Sequence, residues 1–436
     1  MKFKNKLASF FNSQNDNSLK LASVSEQVLF SGCNFLSSIA ILKVGSVKDF
    51  GIYSFIFTLV TLGNGIFASL IHRQMQLDIA SKIESEQNRG YRASFFLELA
   101  LIALLVVAAI LTVLVTKYFQ MKVDLLLLLA VASYLLAFNI FELNRRYLYC
   151  RNMQVNSFKI TLRVFVGLVL LLTVYVLIDN QYYAIHLSFV VLAVAFMLGL
   201  FLNKLCTNIL FNKRIKVEVS KTASTYFLQG KYGFLGMLAT WLQNQSINPF
   251  LMYVAGPLVV GYFALGRLMV MPIAVIANGL TSSALPKLRR YAKKNLKESV
   301  FDEIKSQSLL VTIFAVIYSC ILFLLHVTGF FDAYVPEYQS VKYYLLFWIV
   351  ALPIINFRFW RTQYFIAHVK MDLVLRVALM STAIVASTML IITYIFKTPV
   401  FSILGLVLAE FVAIIVLTVL IKGSIKTVST LSLIHI

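Results

Sequence analysis

A single arginine, Arg267, lies deep inside a long apolar stretch of the sequence. If a helix begins near Val259 and rises ~1.5 Å per residue, the arginine lies about 12 Å along its axis. That depth is inside a bilayer hydrocarbon core of roughly 30 Å. A guanidinium there costs about 2.5–3.5 kcal/mol to insert, so it usually faces a protein partner or a substrate in a water-filled cavity. Arg267 is therefore the first candidate for binding.

Polar side chains form stripes at helical spacing in four apolar segments. In the first segment, Gln27, Ser31, Asn34 and Ser38 recur every three or four residues, which places them on one helix face. Such stripes either line a polar cavity or hold neighbouring helices together. Because they recur in corresponding segments of both halves of the chain, the cavity is favoured. The other stripes comprise Ser54, Thr58, Thr61 and Asn64, then Thr240, Gln243, Asn244 and Asn248, and finally Asn278 and Thr281 together with Arg267.

Acidic residues also lie in apolar segments. Glu98 and Glu410 either bind a proton or ion, or pair with neighbouring donors, and the sequence leaves both alternatives open. Glu26 lies at the start of the first segment, where a helix N-terminus favours a carboxylate, and a structural role is predicted. A charged cluster that closes the fourth segment is predicted to snorkel to the membrane interface, and it comprises Glu142, Arg145 and Arg146.

The elements that position these residues are predicted to be transmembrane helices. The chain has 436 residues, of which 60% are hydrophobic and 13% charged, a composition typical of a polytopic membrane protein. The four cysteines form no CxxC pair, so no metal, disulfide framework or other cofactor is expected. Apolar runs of about 20 residues predict twelve spans, at 22–44, 51–71, 93–116, 123–143, 160–179, 183–203, 230–254, 259–284, 307–330, 340–357, 372–396 and 399–421.

The 39 Lys and Arg residues fall mostly on alternate connections between these spans. The positive-inside rule then puts both termini in the cytoplasm. This topology and attraction to anionic membrane lipid explain the net charge of +21, so no nucleic-acid partner is expected. The opposite connections are too short to hold a folded domain, which counts against an enzyme with an external site.

The chain also shows a weak internal repeat. The sequence NFLSSIAILKVGSVKDFGIYSF at 34–55 aligns with NQSINPFLMYVAGPLVVGYFAL at 244–265, each with a glycine turn followed by Gly-x-aromatic. Two six-helix halves running in the same sense are predicted. The predicted division is a cytoplasmic tail at 1–21, an N-lobe at 22–203, a cytoplasmic linker at 204–229, a C-lobe at 230–421 and a C-terminal tail at 422–436.

These patterns resemble a known family. The twelve spans, the opening SEQVLFSGCNFLSSIAILKVGSVKDFGIYSFIFTLVTLGNGI, and its echo with GYFAL and a closing PKLRRY are similar to polysaccharide (O-antigen type) flippases of the multidrug/oligosaccharidyl-lipid/polysaccharide (MOP) exporter superfamily. The resemblance implies an all-α polytopic membrane protein with two six-helix lobes around a central cavity. It departs from the peptidoglycan-precursor flippases, which have fourteen spans and an arginine in the first.

The resemblance implies a cargo and its partners. The cargo would be an oligosaccharide on a polyprenyl diphosphate carrier, moved to the outer leaflet of a bacterial inner membrane for O-antigen, lipopolysaccharide, capsule or exopolysaccharide synthesis. A polysaccharide polymerase with its chain-length machinery is an implied partner. Arg267 is expected to hold the diphosphate, with Lys231 and Arg73 as second candidates. The sugar is expected to meet the polar stripes, at Gln27, Ser31, Asn34, Thr61, Asn64, Gln243, Asn244 and Asn278.

Three other functions compete with this one. A cation-coupled drug or metabolite antiporter of the same superfamily would need a deep carboxylate in the N-lobe, and Glu26 is expected to lie too near the membrane edge. A glycan polymerase or acyltransferase would need a His, Asp or Glu constellation near one face and usually a substantial loop. The third alternative is a lipid-binding protein with an inactive transporter fold.

Overall fold

The computed structural model describes residues 16–79, 82–118, 125–178, 180–212, 219–294, 296–330, 338–368, 370–396 and 403–434, and these are almost entirely helical. A π-helical turn, Ala68–His72, joins two of the helices, and a 3₁₀ turn, Gln181–Tyr183, precedes another. The α-helices are α1 Asp16–Val44, α2 Val47–Phe67, α3 Arg73–Ile79, α4 Glu84–Tyr118, α5 Leu125–Cys150, α6 Gln154–Ile178, α7 Ala184–Leu202, α8 Lys204–Phe211, α9 Val219–Gln245, α10 Ile247–Lys293, α11 Lys297–Val327, α12 Tyr338–Ala367, α13 Met371–Phe396 and α14 Ile403–Ile434.

The helices agree with the predicted membrane spans. Within the described residues, 10 helical segments are long and apolar enough to cross a membrane. One of them, Gly233–Ala277, overlaps most of two predicted spans, 230–254 and 259–284. The predicted span at 93–116 lies within α4, which is a continuous helix. The prediction of an all-α polytopic membrane protein is therefore confirmed.

The chain forms two compact units, Met1–Met237 and Leu238–Ile436. Each unit has its own core: Phe67, Tyr91 and Tyr147 are buried in the first, and Trp360 and Tyr364 in the second. Two lobes were predicted, and the boundary between the units falls inside α9. The exact limits of the predicted tails and linker stay predictions. The predicted linker contains α8 and the start of α9, and α14 extends through most of the predicted C-terminal tail.

Glycines mark the two helix junctions that the repeat predicted. Gly45 follows α1, and Ser46 then caps α2 with a reciprocal capping box, in which its Oγ accepts from the Asp49 amide at 3.1 Å. Inside α10, Gly256 has φ +79° and ψ 178°, a conformation that glycine adopts without a Cβ penalty. Pro257 then restarts the helix, where a missing N–H costs nothing. The predicted turn near Gly256 is confirmed.

The predicted span at 230–254 is interrupted at Ser246, and Pro249 inside this span predicts such a kink from the sequence. Helix α9 ends at Gln245 and α10 begins at Ile247. Pro249 gives the physical reason, because its ring would clash with the carbonyl of Gln245 in a continuous helix and it has no N–H to donate there. The break lies beside two glutamine side chains that contact charged groups, as shown below.

A buried carboxylate joins three helices of the first unit. Glu26 of α1 is fully buried and accepts hydrogen bonds from Arg145 Nε at 2.6 Å, Ser157 Oγ at 2.7 Å and Thr161 Oγ1 at 2.9 Å. The Tyr149 hydroxyl donates to its second oxygen. Because α1 already begins at Asp16, Glu26 lies well inside the helix and not at its N-terminus. The predicted structural role holds, but the partners are side chains of α5 and α6.

Arg145 does not snorkel, so that prediction was wrong for this residue. Its side chain is 6% exposed, and its guanidinium lies 4.1 Å from the centre of the Phe30 ring. A second guanidinium nitrogen contacts Glu142 at 2.6 Å, and Glu142 also accepts from Arg146 at 2.9 Å. The arginine is drawn inward because Glu26 offers a buried carboxylate, and a buried charge is tolerated when it is paired and hydrogen-bonded.

Replacing Arg145 with glutamine should destabilise the protein, because Glu26 would keep a buried charge without its cationic partner. Removing one member of a buried pair costs about 3–5 kcal/mol. Adding Glu26→Gln to Arg145→Gln removes both charges, so the double variant should regain part of the lost stability. The measurement is the temperature at which half of the detergent-purified protein leaves the monodisperse peak in size-exclusion chromatography.

Arg151→Gln is the matched control. Arg151 also contacts a carboxylate, that of Glu84 at 2.5 Å, but Glu84 is 65% exposed. An exposed pair contributes about 0–1 kcal/mol, so the midpoint temperature should hardly change. A double variant no more stable than Arg145→Gln alone would show that the charge pair is not what holds these helices together.

Candidate functional site

Arg267 lies in the part of α10 that follows Gly256, about 15 Å along the axis from Pro257 at ~1.5 Å per residue. Its Nη1 donates a hydrogen bond to Gln245 Oε1 at 2.8 Å. Its guanidinium lies 5.7 Å from the centre of the Trp348 ring, within the range of a cation–π contact. Trp348 is itself held in place, because its Nε1 donates to the Phe263 carbonyl at 3.2 Å.

Both close partners of Arg267 are neutral. In the described part of the chain, no carboxylate lies within ion-pair distance of its guanidinium. Arginine stays protonated in proteins, so the positive charge persists at this position. A guanidinium in an apolar segment without a counterion is costly, which makes this position suited to bind an anion.

Arg361 of α12 provides a useful comparison. Its Nε donates to Thr418 Oγ1 at 2.9 Å and its Nη1 to the Phe357 carbonyl at 2.8 Å. The guanidinium also lies 3.5 Å from the centre of the Phe357 ring. Two donors of Arg361 are thus directed at nearby protein acceptors, whereas Arg267 donates a single hydrogen bond among the described residues, to Gln245 at the helix break.

Glu410 is paired inside the second unit. Its carboxylate on α14 contacts Arg358 Nε at 2.5 Å and accepts a hydrogen bond from Gln243 Nε2 at 2.9 Å. Glu410 and Gln243 are buried. Of the two alternatives that the sequence left open for Glu410, pairing with neighbouring donors is therefore the one this geometry favours. The sequence placed Arg358 in a cytoplasmic connection, but it lies inside α12.

Glu98 has a different kind of partner. Its Oε1 lies 3.2 Å from Nε2 of His72, the last residue of the π-helical turn. The side chains are 0% and 1% exposed, respectively. Histidine is the side chain whose charge changes most readily near neutral pH, so this pair, unlike Glu410 with Arg358, is built from two groups that can each gain or lose a proton.

The stripe residues of the first unit divide into two groups. Thr61 Oγ1 donates to the Thr58 carbonyl at 2.7 Å, and Asn64 Oδ1 accepts from Asn139 Nδ2 at 2.8 Å. For these two residues the contacts favour helix packing. On α1, Gln27, Ser31 and Asn34 share one face as predicted and are partly buried, and the buried Oδ1 of Asn34 has no hydrogen-bond partner in the structure.

The remaining candidates are distributed along the chain. In the second unit, Gln243 is engaged with Glu410, while Asn244 is partly buried beside it. The side chain of Asn278 lies outside the described residues. In the first unit, Arg73 is the first residue of α3 and Lys231 lies on α9, and both side chains are exposed.

Sequence reasoning missed four partners: Gln245, Trp348, Arg358 and His72. The first three carried no pattern that points to Arg267 or Glu410. His72 did carry a signal, because it directly follows the predicted span 51–71 on the same predicted side of the membrane as the start of the span that contains Glu98.

The comparisons with known proteins agree with this architecture. No protein-family model matches the sequence, and no curated protein matches it. Among solved structures, an inward-facing multidrug resistance MATE family transporter of the MOP superfamily matches with a TM-score of 0.70 and 13% identity, over 93% of this chain and 96% of that chain. An outward-facing transporter of the same description matches with a TM-score of 0.64 and 14% identity, over 94% and 95%.

A third solved structure is a MOP superfamily transporter from Pyrococcus furiosus, whose binding pocket is described as having reversed polarity that suggests a different function. It matches with a TM-score of 0.64 and 13% identity, over 94% of this chain and 95% of that chain. At these identities the likeness shows the fold alone. The chain has the two-lobed transporter fold of the MATE proteins of the MOP superfamily.

Proposed function

We propose that the protein is a flippase for a polyprenyl-diphosphate-linked oligosaccharide, which it moves from the cytoplasmic to the outer leaflet of a bacterial inner membrane by alternating access. The observation that carries this proposal is the charge of Arg267, which has only neutral partners among the described residues. The product would serve O-antigen, capsule or exopolysaccharide synthesis, with a polysaccharide polymerase and its chain-length machinery as downstream partners.

The chemistry of a diphosphate fits this position. A diphosphate must carry its negative charge across hydrocarbon, and a planar guanidinium can bind two phosphate oxygens at once. Gln245 and Trp348 hold the guanidinium without neutralising it. The diphosphate would therefore supply the counterion that no described residue supplies there. The free energy of diphosphate binding would depend on the positive charge of Arg267.

A drug antiporter is the strongest alternative, because the solved neighbours include multidrug transporters. A cationic drug is best bound by a carboxylate that has no internal cation. Glu26 and Glu410 each contact an arginine within hydrogen-bonding distance, so neither meets that condition. Glu98, whose partner is His72, is the described carboxylate on which a cationic cargo would have to rely, whereas the charge of Arg267 supports an anionic cargo.

The sugar would meet amide and hydroxyl groups that are not committed to packing. In the first unit these are Gln27, Ser31 and Asn34 on one face of α1, and in the second unit Asn244. The unpartnered Oδ1 of Asn34 supports this role, since a buried acceptor without a donor costs stability unless a ligand satisfies it. Lys231 and Arg73 remain second candidates for the diphosphate, at exposed positions.

Arg267→Gln should block export of the lipid-linked glycan. Losing a charge-assisted contact to phosphate is worth at least about 1.4 kcal/mol, so export should fall by about 10-fold or more. The measurement compares cells with wild-type or variant protein at matched membrane levels, and it records carrier-linked glycan and its accessibility to a probe added outside. Accumulation of glycan that the probe cannot reach is the expected result.

Arg361→Gln serves as the matched control, because this arginine also lies in a span without a carboxylate partner but is bound by Thr418 and a backbone carbonyl. It should leave glycan display near the wild-type level. Unchanged display in Arg267→Gln would make Arg267 structural. Unchanged display after removal of the whole protein, in a strain without a second flippase, would reject the cargo and favour the drug antiporter.

Gln245→Glu offers a sharper test of the same charge. The new carboxylate would lie where Gln245 now accepts from Arg267, so it would form an internal ion pair and occupy the guanidinium. Export should fall as in Arg267→Gln, while the thermal stability of the purified protein should stay equal or rise. The measurements are glycan display in cells and the midpoint temperature in detergent.

Gln245→Met separates the charge from the hydrogen bond, because methionine has a similar length but adds no carboxylate. This variant should keep most of the export activity. If Gln245→Glu exports as well as the wild type, an available positive charge at Arg267 is not needed for transport, and the diphosphate role is rejected.

A further inference from the structure

The contact between His72 and Glu98 is buried in the first unit and is not needed by the anion site. His72 lies on the π-helical turn that joins α2 to α3, and Glu98 lies on α4. A π-helical turn inside an α-helix is rare and frequently marks a functional position. Here the last residue of the π-helical turn is His72, which contacts the Glu98 carboxylate. The irregular backbone and the ionisable pair therefore lie at the same position.

Each member of the pair has an uncommitted atom. Nε2 of His72 and Oε1 of Glu98 face each other at 3.2 Å, but the buried His72 Nδ1 and Glu98 Oε2 have no hydrogen-bond partner in the structure. Glu26, in contrast, engages both of its oxygens with donors from Arg145, Ser157, Thr161 and Tyr149. Each side chain of the pair thus keeps one buried polar atom, His72 Nδ1 or Glu98 Oε2, that could still form a hydrogen bond.

The surrounding charged and titratable groups are committed to other contacts. From α5, Glu142 and Arg146 face the pair, and they bond each other at 2.9 Å. From α4, the Tyr91 hydroxyl donates to Asn144, and its ring packs against Tyr147.

Two further elements lie close to the pair. From α8, Cys206 lies against Tyr91 and accepts from Asn203. On α3, Arg73 is exposed. Within the described residues, none of these groups forms a hydrogen bond with His72 or Glu98.

We infer that His72 and Glu98 form a proton-binding site within the first unit. With one proton shared between them, the imidazolium and carboxylate, or the imidazole and carboxylic acid, give a neutral pair. Release of that proton to water leaves a net charge of minus one in a buried site, and uptake from hydronium restores neutrality. No other reactant is needed, and each exchange changes the buried charge by one.

A proton fits the site better than a metal cation does. A hard cation such as Na⁺ or Ca²⁺ takes several oxygen ligands, and the site offers one carboxylate and an imidazole. Among the residues described, no group of three or more His, Cys, Asp or Glu side chains could hold a metal ion. The exposed Arg73 directly follows His72, so the pair lies one residue along the chain from the surface of the first unit.

Proton binding would act on the backbone through the π-helical turn. The Arg73 amide bonds the Ala68 carbonyl and closes the turn beside His72. A change in the charge of His72 or Glu98 alters their mutual attraction, and therefore the cost of holding α2, α3 and α4 in this arrangement. The site gives the transporter a means to respond to a proton gradient whether its cargo is a glycan or a drug.

Infrared difference spectroscopy tests the inference directly. Full-length protein in lipid vesicles is taken from neutral pH to a mildly acidic pH that stays above the ordinary titration of exposed Asp and Glu, near about 4. On uptake of the one proton, the wild type should gain either a carboxylic acid C=O stretching band or an imidazolium ring band, according to which of the two side chains carries the proton. Glu98→Gln should lack this change, whereas Glu410→Gln should keep it, because Glu410 contacts Arg358 and Gln243 in the second unit and not His72.

His72→Gln keeps the test valid if Glu98→Gln fails to fold. Without the histidine, the buried carboxyl has no cationic neighbour of its own, so the acid band should already be present at neutral pH and should not change on acidification. Identical difference spectra for wild type and Glu98→Gln would overturn the inference. A spectral change on addition of Na⁺ at constant pH, absent in Glu98→Gln, would overturn it in favour of a metal cation.

Discussion

The cost of an ionised group in a medium without water is the constraint on which the described structure depends. Twelve predicted spans carry few charges, and each buried carboxylate is placed against a basic side chain: Glu26 against Arg145, Glu410 against Arg358 and Glu98 against His72. Each of these contacts joins different helices. Neutralisation of charge and alignment of helices are therefore achieved by the same side chains, and the helices cannot separate without exposing a charge to hydrocarbon.

Two groups that could take up a ligand or a proton are less fully compensated than Glu26. Arg267 has a permanent charge with neutral partners and, unlike Arg361, donates only one hydrogen bond to them, and one buried atom each of His72 and Glu98 has no hydrogen-bond partner. A compensated group such as Glu26 contributes to the fold, because its charge and both oxygens are engaged. Groups that are left incomplete cost stability, and a protein retains such a cost where a ligand or a proton completes the site.

The sequence predicted the fold far better than the sites, and the reason is physical. Apolar length and glycine turns are local, so the spans and the breaks at Gly45 and Gly256 follow from short windows of sequence. Ion pairs are not local: Glu26 and Arg145 are 119 residues apart, and no single window contains both. Arg145 was placed at the interface because its own neighbours are charged, and only the fold shows that a carboxylate draws it inward. Pro249 is a local signal of the same kind, because a proline inside a span predicts the interruption that the structure has at Ser246.

Arg267 and the His72–Glu98 pair differ in whether their charge depends on pH, and this difference suits them to the two roles proposed above, anion binding and proton binding. An arginine does not titrate, so Arg267 can attract an anion at any physiological pH. A His–Glu pair changes its charge with pH, so it can respond to a proton gradient but cannot offer a constant charge to a ligand. Because the fixed charge belongs to the second unit and the titratable pair to the first, loss of one leaves the chemistry of the other intact. Under the proposed function, the cargo site would therefore depend on a fixed charge in the second unit and the proton site on a titratable pair in the first.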